Sequence, residues 1–432
     1  MKKSKKLVLA ALVLLAITGL LALAGCKNDS VPETPAAKLV SISVTPPAQT
    51  VYKVGDEVVH KKGDEIGVTA HYDNGKTSPV TGTITTDTST LTQSAGVQTV
   101  TVRYSEGGIE VSGQFEIRVL PTILTEGNWT YVEFGEWPQT ILKGDVKVEE
   151  DKSKEMGMFT YYLGSDNNWY VKITAKPYED TYTYSDGNSV EEDMEVYFKV
   201  EPIKWRVLNE DYASTGKVLL LAESILTGGI PYYVSLSQRT IGSQTVHANS
   251  WQYSTIRAWL NGRYEEKDPQ ATTYTDKGFL QTAFTESAQK LIADTSVDNS
   301  AASTIPSGIT DEDLESYWNS GENPYASKTP TTDKVFLLSE AEATNSEYGF
   351  DAYDDLDIAR IRVTTDYAKA TGAYQGDPDA GYGGWWWLRS PDCSRVDDAR
   401  DVRSDGNAGN SSLVDSANGG VVPALSISLG GN

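Results

Sequence analysis

Short runs of alternating apolar and polar residues predict β-strands in the first quarter of the chain. Residues 40–44 (VSISV), 97–102 (VQTVTV) and 115–119 (FEIRV) alternate with a period of two, as strands with one buried face do. Turn signals such as Asp73-Asn74-Gly75 separate the runs. The pattern predicts a small all-β sandwich over residues 39–120.

Beyond residue 121, fully apolar runs replace the alternation. Residues 218–222 (VLLLA) and 333–338 (DKVFLL) indicate strands that are buried on both faces. Residues 254–261 (STIRAWLN) predict a helix with a serine N-cap and one apolar face, and residues 285–292 and 364–370 predict two more. Because strands and helices do not alternate strictly, we expect an α+β fold.

Three polar segments interrupt this region. Residues 143–157 are charged and residues 295–332 are rich in Ser, Thr, Asp and Pro, so both are predicted to be surface loops. Roughly thirty small, polar residues follow residues 385–391 (WWWLRSP), and an apolar stretch returns at residues 419–429. We interpret this third segment as an irregular surface region held between two core strands.

The first 25 residues have the pattern of a secretory signal peptide. Four lysines precede an apolar run from Leu7 to Ala24. The ending Leu23-Ala24-Gly25-Cys26 resembles the bacterial lipobox, which implies that Cys26 is diacylated and becomes the new N-terminus. The alternative is a membrane-spanning helix, because the run is long enough. Residues 26–38 are polar and carry prolines, which indicates a flexible linker.

The charge of the chain restricts its partners. The 432 residues carry 60 acidic and 37 basic side chains, for a net charge of −23, which becomes −27 without the four lysines of residues 1–25. Such a surface disfavours nucleic acid, whose binding needs Lys and Arg at the phosphates. It also repels anionic lipid headgroups, so we expect the lipid on Cys26, rather than the protein surface, to hold the membrane.

The aromatic residues mark a domain boundary near residue 121. All 10 tryptophans lie at or beyond Trp129, as do all tyrosines except Tyr52, Tyr72 and Tyr104. We therefore expect residues 121–432 to form one large domain. We expect at least one residue of the triplet Trp385-Trp386-Trp387 in the core, with core packing favoured for two of them and stacking on sugars as the alternative.

Two segments resemble known bacterial surface proteins. The stretch VSISVTPPAQTVYKVGDEV is similar to bacterial Ig-like domains, for which a rigid stalk is the expected role and adhesion the alternative. The series FGEWPQT, IKWRVL, VLLLAESIL, STIRAWLN, DKVFLLS, RVTTDYAKA, WWLRSP and GGVVPAL resembles a lipoprotein domain of spirochaetes and firmicutes. That resemblance implies a C-type lectin-like domain of the formylglycine-generating-enzyme type over residues 121–432. Val422 departs from the pattern, since an arginine is expected there.

The same resemblance extends to variable proteins that retroelements diversify, as in Treponema. It implies that residues 385–429 form a variable region whose exposed side chains bind a ligand. The implied ligand-binding positions are Cys393, Arg395, Asp397, Asp398, Arg400, Arg403, Asn410, Ser411, Leu413 and Asp415. The alternative is a solvated polar loop without a selected partner.

Catalytic and metal-binding patterns are weak. The chain has no P-loop, HExxH or His-centred nucleophile pair, and copper-binding paired cysteines are not available to a domain whose only cysteine is Cys393. The three histidines, His60, His71 and His247, are scattered. The acidic stretch of Asp351, Asp354, Asp355 and Asp357 suggests calcium, but it lacks the EF-hand spacing, so a solvated loop is favoured.

We therefore expect a monomeric, lipid-anchored protein of the cell surface or outer membrane with no cofactor and no enzymatic activity. Its expected function is recognition of an unknown protein or glycan ligand through the polar C-terminal face. The first alternative is an extracytoplasmic enzyme that acts on glycans, because 60 acidic residues offer many carboxylate pairs. The second is a structural envelope protein without a specific ligand.

Overall fold

The computed structural model describes residues 36–58, 66–262, 277–310, 312, 323–353 and 356–428. The predicted signal peptide, the predicted lipidation site Cys26, most of the predicted linker and His60 lie outside the described residues. Within the described part of the chain, no helix is both long and apolar enough to cross a membrane.

The N-terminal module consists of two small sheets around one hydrophobic cluster. Its strands are β1 (Leu39–Thr45), β2 (Val51–Lys53), β3 (Gly67–Tyr72), β4 (Thr77–Val80), β5 (Thr83–Ile84), β6 (Gly96–Glu106) and β7 (Ile109–Leu120). The sheets have the orders β1-β3-β4 and β2-β7-β6-β5. Alternate residues of each strand point between the sheets, where Val68, Val100, Val102, Phe115 and Ile117 are buried.

A nine-stranded sheet dominates the rest of the chain. Its order is β10-β11-β12-β13-β14-β25-β20, with β9 paired to β13 and β8 paired to β9. The strands are β8 (Thr122–Glu126), β9 (Trp129–Ile141), β10 (Val148–Met156), β11 (Phe159–Gly164), β12 (Trp169–Thr174), β13 (Glu195–Asn209), β14 (Val218–Ala222), β20 (Val335–Phe336) and β25 (Ala424–Ile427). Every residue of β14 and β25 is buried, as expected for strands at the centre of a sheet covered on both faces.

The remaining elements are short. The strands are β15 (Ser224–Ile225), β16 (Arg239–Ile241), β17 (Gln244–Val246), β18 (Thr295–Val297), β19 (Thr331–Asp333), β21 (Val363–Thr364), β22 (Trp386–Pro391), β23 (Asp398–Val402) and β24 (Asn410–Leu413). The helices are α1 (Thr255–Asn261), α2 (Phe279–Ala283), α3 (Glu286–Gln289), α4 (Glu340–Ala343) and α5 (Asp366–Ala370). The 3₁₀ turns are Tyr212–Ser214, Trp251–Tyr253, Ala301–Thr304, Ser346–Tyr348, Ile358–Arg360 and Pro378–Ala380.

The predicted fold class is wrong. The structure has 42% strand and 13% helix, which defines a β-rich fold with many sheets rather than an α+β fold with a C-type lectin-like domain. The helix at residues 254–261 is confirmed as α1, whose N-cap Ser254 accepts a hydrogen bond from the backbone N–H of Arg257. The helix predicted at residues 285–292 shrinks to the four residues of α3.

All three predicted surface segments contain strand residues, and the segment 295–332 includes β18 and the start of β19. The charged segment 143–157 contains β10, an edge strand. Charged residues occupy most of its positions, so the alternation of apolar and polar residues that predicts a strand is absent. Residues 398–402 of the supposedly irregular C-terminal region form β23, and all five are buried. Within β23 the charge of Arg400 is paired with Glu340, sixty positions earlier in the chain, which local sequence does not reveal.

Tryptophan rings fill the core of the large domain. The Nε1 of Trp137 donates to the carbonyl of Leu226 over 3.0 Å, and that of Trp205 donates to the carbonyl of Phe134 over 2.7 Å. Both rings are completely buried. Each polar N–H is therefore satisfied while the ring contributes its full apolar area to the core.

The module and the large domain touch directly. Arg118 of β7 donates to the carbonyl of Ser428 over 2.9 Å, and Lys290 pairs with Glu116 over 3.3 Å. The backbone of Gly96 also approaches α3 so closely that a Cβ would lie 2.7 Å from the Ser287 hydroxyl. One end of strands β6 and β7 thus contacts α3, the residue Lys290 that follows it, and the residue that follows β25.

Candidate functional site

The C-terminal region is built on a three-stranded antiparallel sheet, β22-β23-β24. Trp386 of β22 lies opposite Val402 of β23, and both side chains are buried in the core. The next register position brings Trp387, Asp401 and Asn410 opposite one another across the three strands. Because paired residues point to the same face, these three lie on the face opposite to Trp386 and Val402, which we call the outer face although Trp387 itself is fully buried.

A polar groove of about 230 Å³ lies on this outer face. Its walls are formed by Tyr374, Trp385, Asp401, Arg403, Ser404, Asn410, Ser411 and Ser412. Trp385 precedes Trp387 by two residues, and their rings meet edge to face with centroids 4.9 Å apart. One half-buried tryptophan is therefore held against a fully buried one, which fixes the groove wall in place.

A braced turn carries Arg403 into the groove. The backbone N–H of Arg403 donates to the carbonyl of Asn407 over 2.8 Å, and Gly406 adopts a positive φ of 86°. A Cβ on Gly406 would lie 2.1 Å from the carbonyl oxygen of Asp357, so only glycine fits there. The buried Arg360 guanidinium donates to the Gly406 carbonyl over 2.5 Å and holds the turn from below.

The predicted ligand-binding residues separate into four groups. Arg403, Asn410 and Ser411 line the groove. Arg395, Leu413 and Asp415 are exposed outside it, and Cys393 and Asp397 are half-buried. Asp398 and Arg400 are buried.

Arg400 has a structural role that the sequence prediction missed. Its side chain is 4% exposed and contacts Glu340 at 2.6 Å and Asp392 at 3.1 Å. Burial lowers the pKa of Arg400 to about 10, so it remains cationic at neutral pH. Burial, followed by the nearby carboxylates of Asp392 and Asp401, raises the pKa of Glu340 well above its usual range. Arg400 therefore faces the interior and does not lie on the ligand-facing surface.

Asp401 is the groove residue that sequence reasoning did not select. It is 2% exposed, accepts a hydrogen bond from Ser412 over 2.7 Å and, among the described residues, forms no ion pair within 4 Å. Burial raises the pKa of Asp401 to about 6, although the Ser412 hydroxyl and the nearby Arg400 and Arg403 favour its charged form. A perturbed carboxylate in a groove is a common mark of a functional site. The only available signal was its spacing of two residues from Arg403.

Trp385 and Tyr374 also contribute in a way the sequence did not specify. Trp386 and Trp387 are fully buried, in agreement with core packing for two of the three tryptophans. Trp385 is half-buried and lines the groove. Val422, where an arginine was expected, is buried in the core.

Cys393 is not an activated thiol. It is half-buried and belongs to no disulfide among the described residues, and burial, with Asp392 and Glu340, raises its pKa to about 12. Nucleophilic cysteines need the opposite shift, because the thiolate is the reactive form.

The described residues contain no group of three or more His, Cys, Asp or Glu side chains placed to hold a metal ion. In the acidic stretch considered for calcium, Asp354 and Asp355 lie outside the described residues. The carboxylate of Asp357 accepts hydrogen bonds from the backbone N–H groups of Ala359 and Asp351. That carboxylate therefore serves the local turn.

Comparison with known proteins gives one match. Residues 215–429 are similar to a family described as a domain of unknown function, DUF6273. No curated protein matches the chain. The matched region contains the whole groove, whereas strands β8 to β13 of the nine-stranded sheet lie before it.

Proposed function

We propose that this protein is a surface-displayed lipoprotein that binds a macromolecular ligand, without turnover, through the polar face of the β22-β23-β24 sheet. The observation that carries the proposal is the groove on that face, which contains three of the predicted ligand-binding residues, Arg403, Asn410 and Ser411. The display at the surface rests on the sequence of residues 1–26 alone.

The groove has the properties that recognition requires. Its floor belongs to strands that are buried on their inner side, so little of the floor has to be ordered when a ligand binds. Its walls offer a guanidinium, an amide, a carboxylate and hydroxyl groups, which together donate and accept hydrogen bonds. Tyrosine, tryptophan, serine and asparagine are also the residues that dominate binding surfaces in other recognition proteins.

The proposal is tested by displaying the full chain on bacterial cells and measuring the capture of immobilised mucin, collagen, fibronectin and hyaluronan. A variant with Arg403→Ala, Asn410→Ala and Ser411→Ala is expected to lose capture. The matched control carries Lys143→Ala, Asn128→Ala and Ser153→Ala, three exposed residues that do not line the groove, and is expected to retain it.

Equal surface expression of both variants, measured with an antibody against the N-terminal module, is required for the comparison. The proposal is contradicted if the triple groove variant captures a macromolecule as well as the wild type does. It is also contradicted if the wild type captures none of the four macromolecules.

A further inference from the structure

Exposed aromatic side chains gather on the rim of the groove. Tyr374 and Trp385 line it, and the ring of Tyr178 lies edge-on to that of Tyr374 with centroids 6.1 Å apart. Tyr382 adjoins Ser404 of the groove wall, since a Cβ on Gly376 would lie 3.0 Å from Tyr382 Cβ and 3.1 Å from Ser404 Cβ. Tyr178 and Tyr382 are 50% and 44% exposed, so their rings are accessible to a ligand.

The groove contains one acidic side chain, one basic side chain and one amide. The Asp401 carboxylate lies at the floor, and Arg403 and Asn410 lie beside it. The Asn410 amide N–H₂ donates to Asn407 over 3.1 Å, which orients the side chain. One carboxylate and one guanidinium leave the site close to neutral in spite of the acidity of the whole chain.

The lining contains no aliphatic side chain. Pockets that receive a protein side chain are usually dry and apolar at their centre, with aromatic and aliphatic walls. A sugar ring presents the opposite combination, a C–H face that packs on an aromatic ring and an edge of hydroxyl groups that both donate and accept.

We infer that the groove binds a neutral saccharide chain, with a sugar ring packed on Trp385 and its hydroxyl groups hydrogen-bonded by Asp401, Arg403 and Asn410. This inference rests on the proposed function and specifies its ligand class. The rim tyrosines Tyr178, Tyr374 and Tyr382 then contact neighbouring sugar units. The groove is smaller than pockets for drug-sized molecules, which span about 300–1,000 Å³, so it accommodates a short part of an extended chain.

The direct test uses pentasaccharides of glucose, N-acetylglucosamine and mannose as probes with the full chain in detergent. Binding is measured by calorimetry and by the change in tryptophan fluorescence. At least one probe is expected to bind, and Trp385→Ala is expected to weaken it about tenfold or more, as loss of one stacking contact implies. Trp169→Ala removes another half-buried tryptophan, on β12, and is the matched control.

Near-ultraviolet circular dichroism of each variant confirms that the fold is kept. Binding of none of the three probes, or equal binding by wild type and Trp385→Ala, overturns the saccharide inference.

A second arm separates this inference from the proposed function. Periodate cleaves vicinal diols of glycans and leaves polypeptide backbones intact, so it is applied to the captured macromolecules. Loss of capture after periodate supports a saccharide ligand. Capture that depends on Arg403, Asn410 and Ser411 and survives periodate, while none of the three pentasaccharides binds, overturns the saccharide inference and supports a protein ligand for the same face.

Discussion

Removal of the Arg400 guanidinium should destabilise the large domain strongly. In the wild type this charge lies 2.6 Å from Glu340 and 3.1 Å from Asp392, and all three side chains are at most 6% exposed. Arg400→Ala leaves two buried carboxylates without their cation. Breaking a buried ion pair in this way costs about 3–5 kcal/mol. For a domain of this size we expect the melting temperature to fall by about 10 °C.

The sign of the pH effect follows from the same geometry. The pKa of Glu340 is already raised by burial and by the carboxylates of Asp392 and Asp401, and loss of the Arg400 cation raises it further, so protonation of Glu340 favours the folded state. The stability of the variant should therefore be highest at acidic pH and fall as the pH rises. The double variant Arg400→Met with Glu340→Gln should recover part of the lost stability, because it removes one of the two stranded charges.

The assay is denaturant unfolding of the purified chain, followed by tryptophan fluorescence, which reports the large domain because all 10 tryptophans lie at or beyond Trp129. The matched control is Arg103→Ala, which removes an exposed ion pair with Glu110 at 3.1 Å and should cost no more than about 1 kcal/mol. A cost below about 1 kcal/mol for Arg400→Ala, together with loss of ligand capture, would refute the structural role and restore Arg400 to the binding face.

Three further predictions concern single residues. Burial raises the pKa of Asp401 from 3.8 to about 6, so the stabilisation gained by protonating Asp401 is full at acidic pH and is lost as the pH rises through about 6. Asp401→Asn should remove up to roughly 3 kcal/mol of this pH dependence, measured as the free energy of unfolding between pH 4 and 7. Gly135→Ala should lower the free energy of unfolding by at least about 1–3 kcal/mol, because φ is 73° and the new Cβ lies 2.4 Å from Phe284. The control Gly127→Ala, with φ of 59° and no atom within 4 Å of the new Cβ, should lower it less, and equal unfolding midpoints would contradict this. Cys393 should react with a thiol reagent at pH 8 much more slowly in the folded than in the unfolded protein, because burial raises its pKa to about 12, and equal rates would show that the thiol is accessible and ionised.

The strands that sequence analysis located are those whose pattern is set by burial alone. Residues 218–222 are apolar without interruption, and the structure buries all five as β14. The cap of α1 was equally readable, because Ser254 satisfies the helix end locally. Such elements can be predicted from a few consecutive residues.

The elements that sequence analysis missed depend on distant partners. In β23, charged residues occupy interior positions, which composition alone argues against. Arg400 is tolerated there because Glu340, sixty positions earlier, lies 2.6 Å away. The groove also depends on residues that are distant in sequence, because Tyr374, Trp385 and Asn410 come together only when the three strands pair.

The helical content was overestimated for a related reason. Residues 285–292 have helical spacing of apolar positions, yet only Glu286–Gln289 are helical. The chain continues instead into an isolated bridge between Ile292 and Ile427, which draws the backbone toward the central sheet. Tertiary pairing thus overrides a weak local preference.

The position of β25 has a kinetic consequence. This strand lies between β14 and β20, with Val218 paired to Ile427, so the middle of the sheet has a gap until residues 424–427 arrive. Pairings between such remote residues form slowly, since a long loop must close first. The central sheet can therefore be completed only after residues 424–427 have been synthesised, so this strand is the last one to enter it.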